Sequence, residues 1–203
     1  MKVLLIMASA VLFANTAFAQ ITERDTILRQ NARELLMTCS NRSAEFCMRI
    51  GDGIYRGSIE RDGEKVALPQ SKPVAADFYA VACSKGHGTA CVYAADLYMR
   101  LSDPTVPQPT VFAIARKGCA LENGASCSLA GEMAGDGFGT EASELISLGY
   151  YIKSCEYGYE RGCKLRDLTK TIVELTHEKD EIDQTVRDLS EAQRILSDPD
   201  LNK

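Results

Sequence analysis

Four stretches of the chain decide its fold: CSNRSAEFC at residues 39–47, CSKGHGTAC at 83–91, CALENGASC at 119–127 and CEYGYERGC at 155–163. Each is a pair of cysteines with seven residues between them, and the pairs begin 44, 36 and 36 residues apart. A period of this length is the mark of stacked helical repeats. The flanking residues repeat too. At seven, four and three residues before the first cysteine stand Ala32, Leu35 and Leu36; Ala76, Tyr79 and Ala80; Phe112, Ala115 and Arg116; and Leu148, Tyr151 and Ile152. That spacing is one face of a helix. Pro73 and Pro109 stand ten residues before their cysteines, where a proline helps to start a helix. In the first repeat, Thr22-x-x-Asp25 has the form of a capping box.

On one continuous helix such a cysteine pair would lie about 12 Å apart at 1.5 Å per residue. A disulfide needs a Cα separation below about 7 Å, so the chain must reverse between the two cysteines. Gly86 and Gly88, Asn123-Gly124, Gly158, and Asn41-Arg42-Ser43 supply residues that turn. The expected pairs are Cys39–Cys47, Cys83–Cys91, Cys119–Cys127 and Cys155–Cys163, each stapling helix A to helix B of one hairpin. Zinc is the rival reading of paired cysteines, but its pairs usually have two to four intervening residues, and the chain has only two histidines. Four residues beyond the second cysteine stand Gly51, Ala95 and Gly131, small enough to let a neighbouring helix come close, and then Asp167 in the last repeat.

These residues resemble the cysteine-rich Sel1-like repeat proteins, the family that includes the Helicobacter cysteine-rich proteins. Residues 75–98, with their Ala-Ala-Asp-Phe-Tyr helix and Gly-His-Gly turn, carry the likeness best. Residues 50–57 resemble the family's second helix, with one residue more before Tyr55. The resemblance implies an all-α superhelix, a solenoid of antiparallel helix pairs with a concave face that holds protein partners. It also implies an adaptor or interaction role. Some members have been described as penicillin-binding or β-lactamase proteins, so a cell-wall or β-lactam binder is the alternative. The family shares no catalytic motif, and no catalytic residue carries over.

The ends of the chain read differently. Residues 1–19 have a positive start, an apolar run from Val3 to Phe13 and the Ala17-Phe18-Ala19 pattern, which is the form of a cleaved signal peptide. Eight cysteines in an exported chain fit an oxidising compartment, periplasmic or outside the cell. The four repeats then occupy 20–166, with residues 57–72 expected as a longer surface loop. From Leu165 a 3-4 spacing runs through Leu168, Ile172, Leu175, Lys179, Ile182, Val186, Leu189, Gln193 and Leu196. Eight of these ten positions are apolar, so 165–197 is expected as a long helix that either pairs as a coiled coil, giving a homodimer, or folds back as a cap.

Charge and motifs narrow the function. The formal charge is −5, or −6 once Lys2 leaves with residues 1–19, and nucleic-acid binding calls for a basic face instead. No later stretch is apolar enough to cross a membrane. The chain holds no S-x-x-K, K-T-G, H-E-x-x-H, G-x-S-x-G or P-loop. His87 reads as a solvated turn residue, His177 as an exposed heptad residue and Gly135-Asp136-Gly137 as a turn between helices. The expectation is a non-enzymatic, cofactor-free scaffold that binds proteins.

Overall fold

The computed structural model describes residues 28–61, 63–102 and 105–196. The signal-peptide reading and Thr22-x-x-Asp25 lie outside them. Within them, helices follow one another as antiparallel neighbours. They are α1 (28–40), α2 (Ala44–Arg56), α3 (Lys72–Ser84), α4 (Gly88–Leu101), α5 (Gln108–Ala120), α6 (Gly124–Asp136), α7 (Glu144–Glu156) and α8 (Glu160–Leu196). Each helix from α2 onwards packs on the next, so α3–α4, α5–α6 and α7–α8 are hairpins and α2–α3, α4–α5 and α6–α7 are the joints between repeats. The fold is an all-α helical repeat solenoid.

Local chemistry sets the helix boundaries. Ser43, Ser71, Asn123 and Ser143 each cap a helix, their side chains accepting a backbone N–H of the first turn. Pro73 and Pro109 stand in the first turns of α3 and α5. Between helices A and B the chain turns through one left-handed residue, Gly86 in the second repeat, Glu122 in the third and Gly158 in the fourth. The third turn therefore differs from the Asn123-Gly124 turn expected from sequence. Asn123 is the cap, and Gly124 is the first residue of α6, where any Cβ would press on Tyr159 and the carbonyl of Ser154. Glu122 bears the positive φ of 59° that glycine carries elsewhere. A left-handed non-glycine residue costs roughly 1–2 kcal/mol. Glu122→Gly should raise stability by about 0.5–1 kcal/mol once glycine's greater unfolded entropy is deducted. Urea unfolding checks this, and a lower midpoint would contradict it.

The disulfides close these turns. Cys39–Cys47, Cys83–Cys91, Cys119–Cys127 and Cys155–Cys163 have Cα separations of 5.2, 4.6, 4.4 and 4.5 Å. No cysteine is left free.

The core is built mostly from small side chains. Ala75, Ala76, Ala82, Ala94, Ala95 and Ala115 are all fully buried, with Phe78, Val111 and Met133 as the largest enclosed groups. On helix A the buried face differs from the expected one. Positions seven and four before the cysteine are buried in Ala76, Tyr79, Phe112, Ala115 and Tyr151, but the position three before it is exposed in Arg116 and Ile152. Its place is taken by positions eight and one before the cysteine: Ala75 and Ala82, Val111 and Gly118, Ser147 and Ser154. The two buried serines are satisfied across the joint. Ser147 donates to the Gly131 carbonyl at 2.8 Å and Ser154 to the Gly124 carbonyl at 2.7 Å. Lysines reach across the repeats as well: Lys85 Nζ donates to the Ser40 carbonyl at 2.6 Å and Lys117 Nζ to that of Ser84 at 2.7 Å, capping the ends of α1 and α3.

Residues 57–72 are not the loop expected. Strands β1 (Ser58–Arg61) and β2 (Glu64–Ala67) pair antiparallel, from Ser58 opposite Ala67 to Arg61 opposite Glu64. Gly63, at φ 80°, lies in the turn, and Ile59 packs over Gly53 of α2. An Asp-Gly pair between residues that can alternate is the sequence signal for such a hairpin.

α8 continues helix B of the last repeat as a single helix of 37 residues, about 55 Å long at 1.5 Å per residue. Gly162 and Thr169 are buried, Arg166 and Val173 half-buried, and α8 touches both α6 and α7. Every side chain described beyond Val173 is exposed.

Candidate binding groove

Among the described residues, the cavity richest in exposed aromatic groups lies at the joint of the first two repeats. It has a volume of about 260 Å³ and is lined by Asp52, Tyr55, Arg56, Tyr79, Tyr93, Asp96 and Leu97. Three helices contribute, because the helix B residues of α2 and α4 face each other across Tyr79 of α3. Gly51 decides how deep Tyr79 lies. A Cβ there would sit 2.7 Å from Tyr79 Cε1, so only a glycine admits the ring. Tyr79 is buried and its hydroxyl donates to Asp52 Oδ1 at 2.8 Å. Burial, then this bond to a carboxylate, raises the phenol's pKa far above the ordinary tyrosine value. Tyr79 is thus a fixed, neutral floor.

The walls are more open. Tyr93 packs its ring 5.4 Å from that of Tyr79 at 56°, and remains 44% exposed. Tyr55 is 40% exposed at the opposite wall. Asp96 accepts from Arg100 Nε at 2.7 Å, one turn along α4. The cavity runs on past Asp52 and Arg56 into a groove of about 390 Å³ along β1, which adds Arg49, Ser58 and Glu60 to its lining.

A polar network lies on another face of α3. Asp77 accepts from the Tyr98 hydroxyl at 2.7 Å and from Arg29 Nε at 3.0 Å, and Arg29 also donates to Thr105 Oγ1 at 3.2 Å. It ties α1, α3, α4 and the approach to α5 together.

The histidines have other places. His87 is not simply solvated, as expected from sequence. It caps α4, its Nδ1 accepting from Ala90 N–H at 3.2 Å, while Nε2 faces Glu45 Oε2 at 3.3 Å. With Nδ1 as acceptor, Nε2 carries the proton. His177 is exposed on α8. Gly135-Asp136-Gly137 ends α6, with Gly137 as its left-handed cap. The eight cysteines lie in the four disulfides, away from the tyrosine cavity. The described residues contain no cluster of histidine, cysteine or acidic groups arranged to hold a metal. No described helix is long and apolar enough to cross a membrane.

No protein-family model matches the chain, and no curated protein matches it. Two solved structures are similar in fold. The crystal structure of a Sel1 repeat protein from Oxalobacter formigenes superposes with a TM-score of 0.49 and 18% identity over 59% of this chain, which spans about half (46%) of that protein. Helicobacter pylori cysteine rich protein B superposes with a TM-score of 0.42 and 22% identity over 47% of this chain and 71% of its own. The chain resembles cysteine-rich Sel1-like repeat proteins, and its own four stapled hairpins are what carry that likeness.

Proposed function

We propose that this protein is an exported, non-enzymatic scaffold. In this reading it binds other proteins on the concave side of its repeats and pairs with a second copy through α8. The observation that carries the binding role is the groove of the first two repeats, whose mouth exposes two tyrosines, Tyr55 and Tyr93, that no described residue covers. Tyrosines held on a rigid frame are favoured at protein interfaces because they bury much area and lose little entropy. Four disulfides support a place outside the cytoplasm, where such bonds persist. The test is retention of partners from an envelope extract by the immobilised, oxidised chain, compared with a Tyr55→Ala/Tyr93→Ala form. Scaffolding expects proteins retained by the first and lost from the second. Identical retention by both would sink the groove as the site. The β-lactamase alternative expects nitrocefin turnover that copurifies with the chain, and the scaffold reading expects none.

The pairing through α8 has its own support. The face that α8 lays on the repeats is Gly162, Arg166, Thr169 and Val173, whereas the heptad positions Leu168, Leu175 and Val186 remain 59, 59 and 55% exposed. A stripe of large apolar groups in water forgoes about 1.5–3 kcal/mol per side chain. The described part of α8 does not fold back to cover it. A second α8 would cover this stripe, with Ile172, Lys179, Val186 and Gln193 at one seam position and Leu168, Leu175, Ile182 and Leu189 at the other. Light scattering should find a dimer for the chain from residue 20 onwards and a monomer after truncation beyond Glu174, which keeps the docked turns. A full-length monomer would contradict the pairing.

A further inference from the structure

We propose that the tyrosine cavity is a receptor for one basic side chain, a lysine or arginine presented by a segment of the partner protein. This rests on the scaffold reading above and narrows it to a chemistry. The cavity's size comes first. The part lined by the three tyrosines has about 260 Å³, which suits a single long side chain, and it opens into the groove along β1 that a chain segment can follow.

The lining then chooses among side chains. Leu97 and the ring of Tyr79 form an apolar floor, which suits the methylene stem of lysine or arginine. The rings of Tyr55, Tyr79 and Tyr93 surround the space, and aromatic faces attract a cation. Carboxylates stand on both sides, Asp52 on α2 and Asp96, which Arg100 holds through Oδ1, on α4. Asp52 accepts the Tyr79 hydroxyl through Oδ1, and a carboxylate has about four lone-pair sites, so it can take further donors. A guanidinium or ammonium brings donors only, and therefore matches. An acidic side chain would meet two carboxylates, and an apolar one would strip water from them without replacing its hydrogen bonds.

Arg56 is the cation on the same rim, and it marks where the cavity opens into the groove along β1. Arg49 lines that groove as well. The chain as a whole is acidic, at −5, which favours encounter with a basic partner.

The experiment is an NMR titration of the oxidised full chain with Nα-acetyl-arginine amide and Nα-acetyl-lysine amide, against the norleucine and glutamate analogues. The expected result is shifts centred on Tyr55, Tyr79 and Tyr93 with the two cations and none with the other two. Asp52→Asn keeps an acceptor for Tyr79 but removes the charge, and Tyr93→Ala removes an exposed ring with little risk to folding. Each should weaken binding about fivefold to tenfold. No cation-specific shift at these rings, or equal binding by both variants, overturns the proposal. If partners are still retained and lost with Tyr55→Ala/Tyr93→Ala while the cations fail to bind, only the side-chain assignment falls. If no partner is retained, the scaffold reading falls with it.

Discussion

Full reduction should unfold this protein, or lower its melting midpoint by tens of degrees, and removing one staple should cost a substantial part of its stability. Each disulfide closes a loop with a sequence separation of 8. The chain-entropy account assigns about 2.5 kcal/mol to a closure of that length. Four of them approach the whole net stability of an ordinary domain, roughly 5–15 kcal/mol. The core cannot easily replace them, because most of its enclosed side chains are alanine, serine and cysteine. Burial contributes about 25 cal/mol per Å² of apolar area, so small side chains contribute little each. Cys83→Ala/Cys91→Ala should cost about 2–3 kcal/mol. Circular dichroism melts of the oxidised, reduced and doubly substituted chains measure both effects. A reduced chain with an unchanged midpoint would mean that packing alone holds the repeats.

Gly131→Ala should destabilise the protein by about 1–3 kcal/mol, against the usual sign of that substitution. In a helix interior, alanine normally exceeds glycine by roughly 0.5–1 kcal/mol. At Gly131 the new Cβ would lie 2.6 Å from Tyr151 Cε1 and 2.8 Å from Cδ1. Tyr151 is only 6% exposed, so its ring is held within the joint. The cost should largely vanish in a Tyr151→Ala background, which gives a coupling that a double-mutant cycle reads directly. Gly149 is the internal control. It lies in α7 with nothing within 4 Å of where its Cβ would stand, so Gly149→Ala should stabilise. If Gly131→Ala stabilised like Gly149→Ala, the close joint between α6 and α7 would be wrong. The same joint recurs as Gly51 against Tyr79, while the intervening joint has alanine at both corresponding positions, Ala95 and Ala115.

The sequence made the helix pairs legible because the cysteines impose a period on it. Seven intervening residues, glycine or Asx at the turns, and proline in the first turns left few ways to arrange each repeat. The buried face of helix A was harder to read. Hydrophobicity points to Ile152, but the joint is so close that Ser147, Ser154 and Gly118 occupy it instead. The two serine hydroxyls bond to the neighbouring helix's carbonyls, and residue polarity gives no hint of that. The hairpin at 58–67 did carry a signal, the Asp62-Gly63 pair between Ile59 and Val66, which the charged residues around it obscured. Glu122 stands where glycine would be expected, and Gly124 answers to packing rather than to the turn. The tyrosine groove had no local pattern at all. Its side chains come from residues 52 to 97 on three helices, and only the packing of α2 and α4 on either side of Tyr79 assembles them.

The close joints and the groove both depend on each disulfide staying within its own repeat. Non-reducing peptide mapping of the oxidised chain tests this most directly. Four crosslinked peptide pairs are expected, joining Cys39 to Cys47, Cys83 to Cys91, Cys119 to Cys127 and Cys155 to Cys163. A dominant bond between cysteines of two different repeats would contradict the account.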